Sequence, residues 1–508
     1  MIIFNLIEYT IILFLLLTYY MHMFQLNSYI GKIHISWLKK NYIKTISQII
    51  IITISSTLEN FNNIITLIIS AILFAFSIWY VIPKQKFKVT LKITSRVIRL
   101  FITELIILVL IIIVKDIKSF MIIKFTIINI TLPILCVIAN YINLPIEHLI
   151  KKIYTKKAIK ILENMPNLTV IGVTGTYGKT SVKNFLEKTL STKYEVITTP
   201  KNYNTPMGIV KTIRNELKPY HNIFICEMGA TKIGDIEEIC RIVKPKIGVI
   251  TAIGPQHLDS FKSIDNIIKT KFELSEYFKK NNGIVFLNYD NEFISNYKKE
   301  SHVITFGTNN SNLDFNAYNI NSSSKGIEFN ISNVKYKSKL IGKHNAVNLT
   351  CAISISIFLK IPLNTLVSRI KEIENIEHRL NVISRGNITI LDDSYNSNPI
   401  SSISALDTLL EFKTIRIIVT PGLVELGNDT DKYNYSFGKN ISKTCDFVFL
   451  VGKSNSKALY DGITSQNFDK KNIFFIKTPT EAMQKITTMF NDKKVTVLLE
   501  NDLPDNYN

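Results

Sequence analysis

Between Val170 and Ser181 the chain reads V-I-G-V-T-G-T-Y-G-K-T-S: an apolar strand, a turn holding two glycines, then Lys-Thr-Ser at the head of a helical pattern running from Val182 to Leu190. A strand that turns sharply into a helix leaves backbone N–H groups and the helix N-terminus facing one point, which makes a cradle for an anion. Lys179 supplies a cation and Thr180 a hydroxyl suited to Mg²⁺. Such a unit requires an α/β layer around it, with a mostly parallel sheet. The longer pattern G-x-x-x-x-G-K-[ST] needs glycine where Val173 stands, so the chain carries a short form, Gly175-Thr176-Tyr177-Gly178-Lys179-Thr180.

Ahead of this segment the chain changes character. Residues 1–150 hold four long apolar runs, Tyr9–Phe24, Ile64–Ile82, Val97–Val114 and Met121–Ile142. Each approaches the ~20 residues a helix needs to cross a bilayer. The first reads as an uncleaved anchor rather than a signal peptide, because Thr18–His22 is a poor cleavage region and further runs follow. Basic clusters lie at Lys32–Lys44, at Lys84–Arg96 and after Lys151. The positive-inside rule puts all three in the cytoplasm. Four spans would separate the first two; a fifth over Thr45–Phe61, which carries Gln48 and Glu59, restores agreement and leaves the N-terminus outside. An interfacial helix over the same residues is the alternative. The expectation is a multi-pass cell-membrane region of four to five helices over 1–150, with domains at 151–377 and 378–508 in the cytoplasm.

The chain has 508 residues and a formal charge of +20, and lysine is abundant throughout. That charge suits a lipid bilayer with anionic headgroups, or anionic substrates. No nucleic-acid partner is expected, since no basic stripe studded with aromatics is present. The cysteines, Cys136, Cys226, Cys240, Cys351 and Cys445, form no C-x-x-C pair, which argues against a zinc ribbon or a disulfide framework.

From about Leu162 short apolar runs alternate with helical stretches. Strands are predicted at Leu168–Val173, Asn222–Glu227, Ile247–Ile253 and Gly283–Asn288, a β-rich stretch over His302–Leu340, and a second α/β unit from near Arg379 with strands at Ile388–Asp392, Ile415–Thr420, Phe447–Val451 and Val495–Leu499. The polar stretch Asn309–Lys325 reads as a surface loop. In parallel sheets ligands gather at the C-terminal ends of strands. The phosphate loop, Glu227 and His257 all fall there.

Nine segments in a fixed order resemble the Mur ligases, ATP-dependent amide-forming enzymes of peptidoglycan precursor synthesis, and within them the MurF branch. They are G-T-Y-G-K-T (Gly175–Thr180), K-N-Y-N-T-P-M-G (Lys201–Gly208), C-E-M-G-A (Cys226–Ala230), A-I-G-P-Q-H-L-D (Ala252–Asp259), K-T-K-F-E (Lys269–Glu273), G-K-H-N-A-V-N (Gly342–Asn348), H-R-L (His378–Leu380), D-D-S-Y-N-S-N-P (Asp392–Pro399) and V-E-L-G (Val424–Gly427). The resemblance implies a central ATP-binding domain of phosphate-loop type and a Rossmann-like C-terminal α/β domain. It implies that Gly175, Thr176, Gly178, Lys179, Thr180 and Ser181 hold ATP, joined by His344 and Asn345 and by Arg379 and Asp393 from the C-terminal domain. It implies two Mg²⁺ ions held by Thr180, Glu227, His257 and Lys271, the last converted by CO₂ into a carbamate, and an acceptor bound by Asn202 and Asn204. Lys179, Lys271 and His257 are the residues it makes catalytic.

The reaction so implied has two steps. A substrate carboxylate attacks the γ-phosphorus of ATP to give an acyl phosphate and ADP; an amine then displaces phosphate and forms the amide. Positioning and charge neutralisation carry most of such a phosphoryl transfer. The chain also departs from the family. Apolar segments stand where a MurF enzyme has a soluble UDP-binding domain, the K-G-S segment after the last strand is replaced by Leu499-Glu500-Asn501-Asp502, and Thr251-Ala252-Ile253 and Pro421-Gly422-Leu423 differ from the usual wording. The expected substrates are therefore an amino acid or dipeptide and an anionic cell-wall precursor, lipid-linked or UDP-linked. MurF chemistry on a soluble UDP-linked tripeptide is the second reading, and a non-catalytic nucleotide-binding membrane scaffold the third. Folylpolyglutamate and poly-γ-glutamate synthases share the ATP core; the former are not expected to be polytopic, and Asp392–Pro399 and Val424–Gly427 look less like the latter.

Overall fold

The structure, a computed structural model, describes residues 2–58, 64–81, 89–113, 121–200, 203–395, 397–452 and 455–501. The chain divides into a first unit up to Lys152 and a second over Ile153–Leu503. The first is helical: α1 (Ile2–Leu26), α2 (Gly31–Lys40), α3 (Tyr42–Leu58), α4 (Ile64–Val81), α5 (Ser95–Ile113) and α6 (Met121–Glu163), whose last turns belong to the second unit. Among the described residues two stretches, Tyr9–Leu26 in α1 and Thr126–Glu163 in α6, are long and apolar enough to cross a membrane by length and composition. The segment expected as a fifth span is helical as far as Leu58; its last three residues, with Ile82 and Val114, lie outside the described residues.

The first unit buries two apolar clusters, one around Leu16, Leu17, Ile128 and Leu135 and one around Met21, Phe24, Val97 and Leu100, with several polar side chains among them. Along α6, Asn129, Cys136, Asn140 and Asn143 are buried, while Ile127, Ile130, Ile134, Ile138, Ile142 and Ile146 are exposed. The inward residues bond to other helices and loops: Tyr9 Oη donates to Asn129 Oδ1 (3.0 Å), Arg96 to Asn140 Oδ1 (3.0 Å) and Thr103 Oγ1 to Asn143 Oδ1 (3.0 Å), and Arg99 pairs with Glu147 (2.6 Å). On α5 Glu104 is buried while Ile102, Leu105, Ile106, Val109 and Leu110 are exposed.

The second unit begins with a nine-stranded sheet. In chain order its elements are β1 (Thr169–Thr174), α7 (Lys179–Leu190), β2 (Val196–Thr198), α8 (Pro206–Asn215), β3 (Ile223–Glu227), α9 (Asp235–Val243), β4 (Ile247–Ile250), α10 (Leu258–Phe261), α11 (Ile264–Asn281), β5 (Ile284–Asn288), α12 (Glu292–Ser295), β6 (Val303–Gly307), β7 (Phe315–Ser323), β8 (Gly326–Ile331), β9 (Val334–Ser338), α13 (His344–Phe358) and α14 (Leu363–Glu372). The strand order is β2-β3-β1-β4-β5-β6-β7-β8-β9, parallel as far as β7 and antiparallel over the last pairs. Strand β1 lies centrally and is buried almost throughout, which is why it reads as a continuous apolar run. Helices α7 and α13 cover one face and α9 and α11 the other, each face closing over its own apolar core. The buried face of α7 is Val182, Phe185, Leu186, Thr189 and Leu190, the spacing of an amphipathic helix.

The second sheet comprises β10 (Asn381–Arg385), β11 (Ile388–Asp393), α15 (Pro399–Leu410), β12 (Ile415–Thr420), α16 (Thr430–Thr444), β13 (Phe447–Val451), α17 (Ser456–Thr464), β14 (Ile473–Ile476), α18 (Pro479–Met489) and β15 (Val495–Glu500), with strand order β10-β11-β15-β12-β13-β14. Only β10 runs antiparallel to its neighbour. The α/β expectation for both parts holds. The loop expected over Asn309–Lys325 does not: β7 occupies much of it. Its partner β8 supplies the buried Ile327, Phe329 and Ile331, so β7 needs little apolar character of its own. The short edge strands β2, β10 and β14 carry too few residues for a clear alternation.

Candidate active site

The phosphate loop follows β1. Gly175 has φ of 150°, and a Cβ there would stand 2.1 Å from Thr251 Oγ1 and about 3 Å from the Ala252 backbone. Gly178 (φ 81°) is the N-cap of α7 and makes no side-chain cap, so the first N–H groups of the helix are left for a ligand. Thr251 pins the loop by donating to the Tyr177 carbonyl (2.5 Å). Lys179 Nζ donates to the loop's own carbonyls, Gly175 O and Thr176 O, at 2.7 Å each. Burial pushes its amine down to about 8, with Glu227 opposing the shift.

Glu227 ends β3, in register with Val173 of β1. Its carboxylate accepts from Thr180 Oγ1 (3.2 and 3.3 Å) and Asn204 Nδ2 (3.3 Å) and pairs with the buried Lys183 (3.2 Å). A hydroxyl touching a carboxylate beneath a phosphate cradle fits Mg²⁺, which takes one or two carboxylates and completes its shell from substrate oxygens and water. Among the described residues no group of three or more His, Cys, Asp or Glu side chains is arranged to hold a metal. Thr180 and Glu227 would therefore hold the ion together with phosphate oxygens, and its chemistry would be to offset charge during transfer.

The loop lines two cavities. Gly175, Thr176 and Lys179 face one of about 140 Å³, shared with Asn204, Asp235, His257 and Lys271. Lys271 projects from α11 and is pushed down to about 7, first by burial and then by the Lys179 charge, against the pull of Asp235 and Glu273. Asp235 Oδ2 accepts from the Thr231 and Lys232 N–H groups (2.8 and 3.1 Å), which fixes that carboxylate at the cavity edge. His257 has φ of 52°, and its Nδ1 lies 2.5 Å from a Glu425 carboxylate oxygen. Asn202 lies outside the described residues.

Tyr177, Gly178 and Ser181 face the other cavity, of about 430 Å³, with His344, Asn345, Arg379 and Asp393. That volume lies within the usual range for a small-molecule site. Gly342 has φ of 84°, and a Cβ there would stand 2.7 Å from the His344 ring. His344 is partly exposed as a residue, yet its Nδ1 is sealed from solvent without a protein partner, and burial pushes the imidazole down to about 4. Asn345 Nδ2 donates to Ile341 O (2.8 Å), so part of its hydrogen-bonding capacity holds the turn before α13. Arg379 lies 4.5 Å from the Tyr395 ring. Burial pushes the Asp393 carboxyl up against the opposing Arg379 charge.

Sequence reasoning missed Lys183, Thr251, Asp235 and the partner role of Glu425. Lys183 lies one turn along α7 from Lys179, so its spacing was visible. Glu425 reaches His257 across more than 160 residues, and no local pattern carries that contact.

Residues 173–356 match the Mur ligase middle domain and residues 378–499 match the domain described as Mur ligase, glutamate ligase domain. The chain is 30% identical over 348 residues to the UDP-N-acetylmuramoyl-tripeptide–D-alanyl-D-alanine ligase of Buchnera aphidicola subsp. Baizongia pistaciae, covering 67% of this chain and 74% of that one. Among solved structures, MurF from Acinetobacter baumannii superimposes with a TM-score of 0.63 at 23% identity, over 69% of this chain and 77% of the other. MurF from Thermotoga maritima in complex with ADP gives 0.61 at 23% identity, over 69% and 80%. These matches, on the α/β scaffold and cradle just described, place the chain in the Mur ligase family, as an ATP-dependent carbon–nitrogen ligase.

Proposed function

We propose that the chain is a MurF-type ligase that joins a dipeptide such as D-alanyl-D-alanine to the terminal carboxylate of a muramoyl tripeptide precursor. The observation that carries this reading is the placement of the phosphate loop between two cavities. One, with Arg379 and Asp393, suits a nucleotide; the other, with Lys179, Lys271 and Asn204, suits an anionic acceptor. A γ-phosphate held at the loop would then face the acceptor carboxylate. Lys179 would turn from its own loop carbonyls to the phosphates, and Thr180 and Glu227 would hold Mg²⁺. A neutral Lys271 amine, favoured by burial, is the form that adds CO₂, and a carbamate there would join His257 toward a second ion. Enclosure by the C-terminal part would keep water from the acyl phosphate.

The many exposed apolar side chains of the first unit support a second element of the proposal, attachment to the cell membrane with the ligase in the cytoplasm. Exposed isoleucines around buried Asn and Glu side chains suit hydrocarbon as solvent. That packing favours a lipid-linked acceptor as the second reading. The test is ADP release by the full chain in detergent, comparing UDP-linked and lipid-linked tripeptide against a panel of amines. Release with UDP-linked tripeptide and D-alanyl-D-alanine supports the first reading, release only with the lipid-linked acceptor the second, and release with neither overturns both. Carbonate extraction of native membranes tests attachment independently: recovery in the soluble fraction overturns it.

A further inference from the structure

The 140 Å³ cavity suits anions on most of its sides, since the phosphate loop, Lys179 and Lys271 all face it. Each of these can meet a phosphate or an acceptor carboxylate. Asp235 is the only carboxylate among the residues that line the cavity. The anionic reactants do not call for it. An amide ligase has a further reactant, however, and that reactant, an amine, is a cation at neutral pH.

Asp235 is held in place from two directions. It opens α9, directly after Gly234, whose φ is 92°. Its Oδ2 accepts from the Thr231 N–H (2.8 Å), the Thr231 hydroxyl (3.2 Å) and the Lys232 N–H (3.1 Å). From the other side Glu273, two residues beyond Lys271 on α11, accepts from the Gly234 N–H at 2.6 Å and the Glu237 N–H at 2.9 Å. The segment that carries Lys271 therefore also fixes the turn that carries Asp235. All three bonds to the Asp235 carboxylate fall on Oδ2, and Oδ1 takes none from the described residues. The residue is buried, and the open space it lines is the cavity. Its charge reaches Lys271 and opposes the downward push of burial on that amine.

We propose that Asp235 is a catalytic residue of the second step: its Oδ1 binds the ammonium of the incoming amine and takes the first proton from it. The inference rests on the reading of the chain as a ligase whose acceptor enters this cavity. The lone pair so freed forms the C–N bond at the acyl carbon. The C–O bond to phosphate breaks with its electron pair leaving on phosphate, and the second proton shed by nitrogen goes with that phosphate. The first passes from Asp235 to water as product leaves. A carboxylate already fixed through Oδ2 needs no reorganisation to meet the ammonium. A carbamate on Lys271 would strengthen the site, because it replaces a cation beside the ammonium with an anion.

The test separates the two steps in the full chain in detergent. With ATP and either tripeptide acceptor but no amine, borohydride traps the acyl phosphate as an alcohol; with D-alanyl-D-alanine added, the amide is measured. Wild-type protein that makes no amide overturns the ligase reading and this inference with it. Asp235→Asn keeps an oxygen for Thr231 and Lys232 while removing the negative charge. It is expected to form acyl phosphate at the wild-type rate and to lose ligation by about 100-fold or more, with a raised KM for the dipeptide. Ligation retained, or lost no more than acyl phosphate formation, overturns the inference; equal loss of both is the outcome of a purely structural role. So does a raised Mg²⁺ requirement, the outcome of a metal-binding role. Should Asp235→Asn fail to fold, wild type answers alone. D-lactoyl-D-alanine, with a hydroxyl in place of the ammonium, should inhibit with a constant about tenfold or more above the KM of D-alanyl-D-alanine. A smaller gap overturns the inference.

Discussion

His257 and Glu425 join the two α/β parts of the ligase beside the 140 Å³ cavity: Nδ1 lies 2.5 Å from the Glu425 carboxylate, and the next residue, Leu258, donates its N–H to the Glu425 carbonyl at 3.0 Å. Both are held at positive φ, 52° and 62°. The His257 contact holds the Glu425 carboxyl below its ordinary range. A carboxylate on one imidazole nitrogen fixes the ring and raises the basicity of the other, as in carboxylate–histidine–metal triads. Glu425→Gln should therefore lower activity about 10–100-fold and raise the Mg²⁺ concentration for half-maximal rate. A Mg²⁺ titration of ADP release checks both, and an unchanged Mg²⁺ dependence would remove His257 from metal binding.

The phosphate loop tolerates no side chain at Gly175. Its φ of 150° is strained for an L residue, and the nearest obstacles include the Ala252 backbone, which cannot swing aside as a side chain can. Gly175→Ala should displace the loop and abolish ATP binding while the rest of the sheet folds. Calorimetry for nucleotide and circular dichroism for the fold separate the two effects; wild-type ATP affinity would refute the cradle.

These two sites show how far the sequence carried. The strand, loop and helix around Gly175 follow one another directly over Thr169–Leu190, and their periodicity and glycines are written locally. The motif order singled out Gly175, Lys179, His257 and Lys271, which line one cavity, and His344, Asn345, Arg379 and Asp393, which line the other. What the sequence withheld were contacts of high separation and low specificity: Glu425 to His257, and Glu500 beside Asp393. It also withheld β7, whose polar composition is permitted only because β8 carries the apolar residues for the pair. Long apolar runs were legible in the first unit, but their inward polar partners were not, because a lone Asn in an apolar run does not say which helix it faces.

Lys183 and Glu227 form an ion pair with both side chains about 4% exposed. Lys183→Met would leave the Glu227 carboxylate buried with only the Thr180 hydroxyl and the Asn204 amide as side-chain donors. Removing one member of a buried pair costs more than the pair contributes, so destabilisation of about 3 kcal/mol is expected. Urea unfolding of the full chain in detergent checks it, and a change below about 1 kcal/mol would mean that the pair is solvated in solution.

Lys179 and Lys271 separate by rescue. Lys179→Ala should abolish ligation, since no other side chain on the loop can meet the phosphates with a positive charge. Lys271→Ala should also be inactive, but short carboxylic acids should restore part of its rate by standing in for a carbamate. Assays of ADP release with and without added acetate decide it. Full activity of Lys271→Ala without any addition would refute a carbamate role.

His344 gives the ligase a defined response to acid. Burial pushes its imidazole from the ordinary 6.5 down to about 4. Between those values the unfolded chain binds a proton at this residue and the native chain does not, so stability rises with pH through that window. His344 should thus contribute no pH dependence above about 6.5 and cost increasing stability as pH falls from 6.5 toward 4. His344→Gln removes the titration while keeping a polar side chain. Its unfolding free energy relative to wild type should therefore be more favourable at pH 5 than at pH 7, measured by urea unfolding at both. An identical difference at the two pH values would show that the ring is solvated and protonates freely, and that the sealed Nδ1 is not maintained in solution.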